Sequence, residues 1–444
     1  MLIHKAKTNF ALMIVISFLM LTVNVLAIPS FARQTNLPCS SCHYVFPELT
    51  PFGRLFKLNA YTMTGIKTIE STNKNESTNL KILNMLPVSA MIQGSYNKTQ
   101  KDVPGTQNNT MEFPQQFSLF VAGEISPNFG SFIQITYDDQ GASFALDNTD
   151  MRFASHTTLD DNDLLYGLTL NNGPTIQDVW NTTSAWGFPY FSSAVAPTPT
   201  AGALIDGALA QEVAGLGAYA LYDNTIYGEI SLYRSTPQGG PFPADASSEN
   251  TISGFAPYWR VAWQDQGENQ YIEIGTYGMV TSLYPTGISG PTDRYTDVGF
   301  DAQYERTINS SSLIAHTTYI KEKQNFDATA PSGGTNPSDN LNTFRIDCSY
   351  NLPVGVAFSL GYFNTSGNKD INLYTPIPVN GSLSGSPNSD GLITQVDYLP
   401  WLNTQFAVQY VLYNKFNGAS SNYDGAGRNA SDNNTLYVIG WVVF

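Results

Sequence analysis

The chain has 444 residues, with 36 acidic side chains against 21 Lys and Arg, so its formal net charge is -15 although only 13% of residues are charged. That balance argues against nucleic acid as a partner, because phosphates are held by clustered Lys and Arg. Aromatic residues make up 13%, and the polar remainder is rich in Asn, Thr, Ser and Gly, a mixture open to a soluble globule or to a barrel with an apolar outside and a polar inside.

In chain order, the first element is an export signal. His4, Lys5 and Lys7 give a basic start, Ala11 to Val23 is almost unbroken apolar sequence, and Val25-Leu26-Ala27 supplies a small-residue cleavage pattern. Cleavage is expected after Ala27, which removes two lysines and leaves a formal charge of -17. The other reading, a single membrane anchor, meets a run that is short for a spanning helix. No later stretch approaches the ~20 continuous apolar residues of a transmembrane helix, so any further membrane span must be made by strands.

Cys39-Ser40-Ser41-Cys42-His43 follows. C-x-x-C-H is the attachment sequence for c-type haem: two thiols at that spacing form thioethers with the two vinyl groups, and the adjacent His reaches the iron. A disulfide or a thioredoxin-like redox pair is the alternative, and the second needs a βαβ context that does not follow. Cys39 and Cys42 are therefore read as the covalent haem attachment and His43 as the proximal iron ligand.

Thr50 and Pro51 predict a helix start, with an N-cap hydroxyl and a proline at the first helical position. Phe52, Leu55, Phe56 and Leu58 recur at helical spacing and offer a face to cover a porphyrin. Arg54 and Lys57 are placed to meet propionates or to form a solvated face. Met63 is the nearest soft donor and is read as the distal ligand, with His156 and Met85 as weaker candidates and an open sixth position as a further option. Met/His ligation raises a haem's potential.

After a polar linker the sequence breaks into sixteen stretches with two-residue alternation, from 83–97 and 114–127 to 403–416 and 434–444. Val298, Phe300, Ala302 and Tyr304 interleave with Asp297, Gly299, Asp301 and Gln303. Phe344, Ile346, Cys348 and Tyr350 interleave with Thr343, Arg345, Asp347 and Ser349. A soluble β-sandwich alternates in the same way. Turn lengths separate the two, because short and long connections alternate as in outer-membrane barrels, blurred only at 139–162. The aromatic C-terminal strand ending at Phe444 agrees, since an apolar end strand needs pairing on both edges. The predicted fold is all-β, an antiparallel outer-membrane barrel of about 16 strands.

The predicted organisation is a signal peptide (1–27), a mono-haem segment (28–67), a linker (68–82) and the barrel (83–444). The haem segment is expected on the periplasmic side or within the lumen. The long connection 172–211, with Trp180, Trp186, Phe188, Tyr190 and Phe191, either folds inward or packs on the rim. Asp138, Asp150, Glu229, Asp297, Asp301, Glu305, Asp347 and Asp397 fall on the polar, lumenal face. An acidic pore concentrates divalent cations, although acidic lumens are also ordinary. Cys348 has no evident partner and is read as a small packing residue on an apolar strand face.

Ser30-Phe31-Ala32-Arg33-Gln34-Thr35, the Cys39/Cys42/His43 motif, Pro47-Glu48-Leu49-Thr50-Pro51-Phe52-Gly53-Arg54 and Phe56-Lys57 together resemble the fused outer-membrane cytochrome–porin family. Its best-known members are iron(II) oxidases of iron-oxidising bacteria. The resemblance implies one covalent haem c and a barrel in the outer membrane of a Gram-negative bacterium. It further implies that electrons pass from extracellular Fe(II) through the haem to a periplasmic cytochrome c or copper protein. An electron conduit with another donor or outward flow, and a haem-gated diffusion porin, are the alternatives. The signature carries no distal ligand, so Met63 rests on the residue reading alone.

Overall fold

The computed structural model describes all residues except 1–29, 64–67, 71–80, 84–85, 139–140, 239 and 402. The predicted signal peptide and the candidate Met85 lie outside the described residues. Of the predicted linker, Thr68–Glu70 is described and pairs antiparallel with Lys81–Leu83 in a short ribbon.

The barrel begins with β1 (Val88–Thr99), β2 (Thr110–Ser126), β3 (Phe129–Asp138), β4 (Ser143–Leu159) and β5 (Asn162–Asn171). It continues with β6 (Val213–Tyr222), β7 (Ile226–Ser235), β8 (Ala256–Gln266), β9 (Gln270–Tyr284) and β10 (Asp293–Ile308). The last six are β11 (Ser311–Asn325), β12 (Ser338–Leu352), β13 (Val356–Gly367), β14 (Ser389–Trp401), β15 (Thr404–Lys415) and β16 (Thr435–Val443). Each strand pairs antiparallel with the next, and β16 returns to β1, with Thr435 opposite Thr99 and Val443 opposite Met91. Phe444 completes the seam by exchanging two backbone hydrogen bonds with Ala90, both 2.8 Å. The predicted sixteen strands are therefore present and closed, with the two-residue strand Thr251–Ile252 added outside the circle on β9.

The two faces of the wall follow the alternation. On β10, Asp297, Asp301, Gln303 and Glu305 point inward and are buried, while Phe300 is 56% exposed on the outside. On β15, Gln405 and Gln409 are inside and Phe406 and Val408 outside. Leu168, Leu170, Leu216, Ile230, Val261, Trp263 and Ile346 extend the outer apolar surface round the cylinder. So much contiguous apolar exposure is foreign to a water-soluble surface and matches the lipid-facing band of an outer-membrane barrel. Among the described residues no helix is long and apolar enough to cross a membrane.

Turns at 127–128, 160–161, 223–225, 267–269, 309–310 and 353–355 mark one rim, and the long connections mark the other. The two successive short connections at 139–162 face opposite rims, which resolves the blur in the sequence pattern. Both ends of the barrel lie on the short-turn rim. The long connection 172–212 folds inward rather than onto the rim. Trp180 is fully buried, edge-on to Tyr227 at 5.2 Å, and Ile205 and Leu209 pack with Tyr277, Met279 and Ile320. Cys348, predicted as a packing residue, is exposed on the outer wall, because the outward face of β12 meets lipid rather than protein.

Candidate functional site: a cysteine-pair plug in the lumen

Residues 30–63 fill the lumen from the short-turn end. Helix α1 (Ser30–Thr35) is docked by Gln34, whose amide donates to Ala122 O at 3.2 Å and accepts from Glu124 N–H at 3.0 Å. This adds a rung to β2. Phe31 stacks on Tyr61 at 5.3 Å and meets Phe56 edge-on at 5.2 Å. Helix α2 (Pro51–Leu58) starts as the sequence predicts: Thr50 Oγ1 accepts from Gly53 N–H at 3.1 Å, with Pro51 next. The same hydroxyl donates to Ser41 O at 2.5 Å, and Thr50 N–H donates to Cys42 O at 2.9 Å. The N-cap thus ties the helix to the cysteine motif.

Cys39–Ser41 forms a tight helical turn, with His43 N–H donating to Cys39 O at 2.9 Å. Both thiols are free and half-buried. Burial, then the neighbouring Cys39, pushes the Cys42 thiol up to about 11, the opposite of the depressed thiol of a thioredoxin-like pair. His43 Nδ1 lies 3.2 Å from Pro47 O. Burial pulls the imidazole down to about 4 against the opposing pull of the Pro47 and Glu48 backbone, so the ring is neutral and Nδ1 carries the proton. A neutral imidazole held at Nδ1 by a carbonyl presents its Nε2 lone pair to a metal. Beside the motif, Phe52 and Leu55 are left 37% and 39% exposed on α2, an uncovered apolar surface of the kind a porphyrin would cover. The two thiols, the oriented imidazole and this surface fit a covalently attached haem. Phe46 lies between His43, at 4.6 Å, and Trp441 of β16, at 5.0 Å, so the motif sits near the short-turn rim.

Arg54 and Lys57 do not form the solvated face that was one of the two expectations for them. Arg54 is buried in an ion pair with Glu305 and lies 3.9 Å over the Tyr271 ring. Lys57 donates to Ile176 O and Asp178 O, both at 2.7 Å, over the Trp186 ring. Inside a barrel the polar side of a helix meets wall and loop instead of water. Leu58 is 1% exposed among Leu165, Tyr219, Tyr227 and Trp180. Tyr61 donates to Asp150 at 2.7 Å, and Arg152 pairs with the same carboxylate at 2.7 Å. Met63 is half-buried just past Tyr61. The Cys42 carbonyl touches the first turn of α2 at Gly53, whereas Met63 lies beyond the other end of the helix. His156 contacts Asp163 through Nδ1 and Asn59 through Nε2.

Asp150, Glu229, Asp297, Asp301, Glu305, Asp347 and Asp397 are buried on the lumenal face as the alternation predicts; the Asp138 side chain lies outside the described residues. Three of the seven are paired with buried arginines. Arg152 neutralises Asp150, Arg54 neutralises Glu305, and Arg260 pairs with Asp301, Asp178 and Glu273.

One cluster had no signal in the sequence. Glu48, five residues after His43 and 0% exposed, points Oε1 to within 3.8 Å of His316 Nε2 on β11. His316 Nδ1 lies 2.8 Å from Asp347 Oδ2 on β12, and Ser349 donates to Glu48 at 3.4 Å. His316 and Asp347 also line a cavity beneath loop 172–212, with Asn181, Thr182, Phe188 and Arg345. Asn181 joins that loop to the plug, accepting from Leu49 N–H at 2.9 Å and donating to Trp186 O at 2.9 Å.

Comparison with known proteins finds no matching family model and no matching curated sequence. Several solved structures are similar over most of the chain. An anion-selective porin from Comamonas acidovorans is 12% identical with a TM-score of 0.46, covering 80% of this chain and 98% of its own. OmpF of Salmonella typhi, in complex with daunomycin, is 14% identical with a TM-score of 0.45, covering 80% and 97%. The outer membrane channel DcaP of Acinetobacter baumannii is 11% identical with a TM-score of 0.44, covering 80% and 96%. The fold itself is established by the chain's own strand pairing, a closed antiparallel barrel of sixteen strands.

Proposed function

We propose that this chain is an outer-membrane cytochrome–porin. It would carry one haem c on Cys39 and Cys42, take electrons from extracellular Fe(II), and deliver them to a periplasmic cytochrome or copper protein. The observation that carries this reading is the His43 imidazole, fixed by its Nδ1 at 3.2 Å from Pro47 O, on a two-cysteine turn held inside the lumen. The haem would supply a one-electron couple, so each Fe(II) oxidised to Fe(III) releases one electron, which leaves to one oxidised acceptor. The chain's own part is position. The Thr50 cap holds the motif against α2, and Arg54, Lys57 and Tyr61 anchor α2 and its end to the wall and the inward loop. Through Phe46, Trp441 keeps the motif close to the short-turn rim, which in an outer-membrane barrel would face the periplasm. No nucleophile or acid–base pair is required for outer-sphere transfer.

A diffusion porin is disfavoured because plug and inward loop occupy the lumen through buried contacts. The test is to add Fe(II) to purified haem-loaded protein in detergent and follow the haem absorbance. Prompt appearance of the reduced spectrum is expected; an intact haem that Fe(II) leaves oxidised from acid to neutral pH would eliminate iron oxidation. His43→Ala should remove the reduced low-spin spectrum while the barrel still inserts.

A further inference from the structure

We propose that Glu48 and His316 together form a binding site for a first-row divalent cation at the inner end of the cavity under loop 172–212. The identification of that cation as Fe(II) in the working protein rests on the function proposed above; the site itself is argued from geometry. The 3.8 Å between Glu48 Oε1 and His316 Nε2 is long for a hydrogen bond. It suits two donors on one ion, since ligands at about 2.0–2.2 Å from a metal stand roughly 3–4 Å apart.

Asp347 holds the far side of the imidazole at 2.8 Å. This is the carboxylate–histidine arrangement that fixes the tautomer and aims Nε2 at a metal. Among the described residues, neither Glu48 Oε2 nor His316 Nε2 has a hydrogen bond of standard geometry, although Glu48 is 0% and His316 3% exposed. The Tyr190 hydroxyl borders Glu48 and interacts with its carboxylate, which leaves the imidazole Nε2 facing Glu48 as the uncommitted donor. Burying such groups unsatisfied is costly, and a cation between them relieves that cost. Imidazole with carboxylate suits iron and zinc alike.

The location gives the site its use. Glu48 belongs to the same loop as His43, with Tyr44 N–H donating to Glu48 O at 3.0 Å, while His316 faces the cavity beneath the inward loop. A cation held there stands between the cavity and the haem-binding turn. Among the described residues no three His, Cys, Asp or Glu side chains converge on one point, so the ion keeps water on its remaining positions. Such a site exchanges its ion, as a substrate site must, whereas a closed structural site has four protein ligands. Without an ion, the imidazole simply stands between the two carboxylates.

The test uses haem-loaded protein in detergent, titrated calorimetrically with Zn²⁺ as a redox-inert probe. One Zn²⁺ per chain is expected, bound at least tenfold more weakly by Glu48→Gln and by His316→Gln, with the haem spectrum unchanged in both. Zn²⁺ should also slow haem reduction by Fe(II) in the unaltered chain and not in the variants. His316→Asn, which keeps a donor for Asp347, serves if His316→Gln fails the heat-shift assay for a folded barrel. Absence of stoichiometric Zn²⁺ binding, or equal affinity in the unaltered chain and both variants, overturns the proposal in favour of a purely structural ion pair. Zn²⁺ binding that depends on both residues upholds the site even where Fe(II) leaves the haem oxidised, an outcome that removes only the iron-oxidation reading.

Discussion

Arg54 on the lumenal helix and Glu305 on the facing strand β10 form an ion pair in which both side chains are almost wholly cut off from water. Tyr44 donates to the same carboxylate at 3.1 Å, so one wall residue grips the plug on both sides of its helix start. Removing one partner of a buried pair strands the other charge and costs about 3–5 kcal/mol. Arg54→Met is therefore expected to loosen the plug by that amount, seen as faster proteolysis of the segment before β1 with the barrel intact. Combining it with Glu305→Gln should recover most of the loss. Equal protease resistance in the single variant would show that the pair does not hold the plug.

Lys57 predicts a pH dependence. Burial lowers its ammonium to about 7 from an ordinary value of 10.5, despite the two carbonyls that accept from it. Between those values the unfolded chain holds a proton that the folded plug does not, so stability rises with pH across that window. Below about 7 both states are charged, and the penalty for burying the charge is at its greatest. The limiting slope is one proton, about 1.4 kcal/mol per pH unit. Lys57→Met should flatten the dependence of the unfolding midpoint between pH 7 and 10.5. An unchanged slope would assign it to another group.

What was legible in the sequence was whatever repeats every two residues. Asp297 to Glu305 reads as alternately polar and apolar because water-side and lipid-side environments differ sharply, and one residue of slip would exchange the faces. The Thr50–Pro51 helix start was legible because its cap is local. Contacts across the lumen were not. Arg54 and Glu305 are 251 positions apart, and nothing local tells an arginine whether its helix faces water or a carboxylate on a distant strand. The same holds for Glu48 and His316: each face could be read, but not the partner opposite. Loop 172–212 carried the aromatic content of a buried segment, and length alone left its direction open.

Met63 is open to a direct measurement. As distal ligand it would raise the haem potential, so Met63→Ala would lower the midpoint potential and alter the ferric spectrum. The geometry sets a demanding condition. From Gly53, where α2 touches Cys42, to Asn59 the helix advances about 9 Å, and Met63 follows that end. The thioether therefore serves only if the chain past Tyr61 turns back towards the motif. A redox titration with an unchanged midpoint would remove Met63 as ligand.

A close backbone approach within the plug yields the last prediction. A Cβ at Gly53 would stand 2.3 Å from the Cys42 carbonyl oxygen and 3.0 Å from two further Cys42 backbone atoms. These are main-chain atoms that a rotamer change cannot move. Gly53 lies within α2 at an ordinary helical position, so the constraint is space and not backbone conformation. Gly53→Ala must push the helix away from the cysteine turn, at about 1–3 kcal/mol for overpacking, and strain the Thr50 bridge to Ser41. Purified Gly53→Ala barrel is expected to show a smaller haem-stained fraction in gels, with normal heat-shifted mobility. Gly228→Ala on β7, where an added Cβ meets nothing within 4 Å, should load haem as the unaltered chain does. Equal staining in the two variants would mean that close packing of α2 on the motif is not needed for haem attachment.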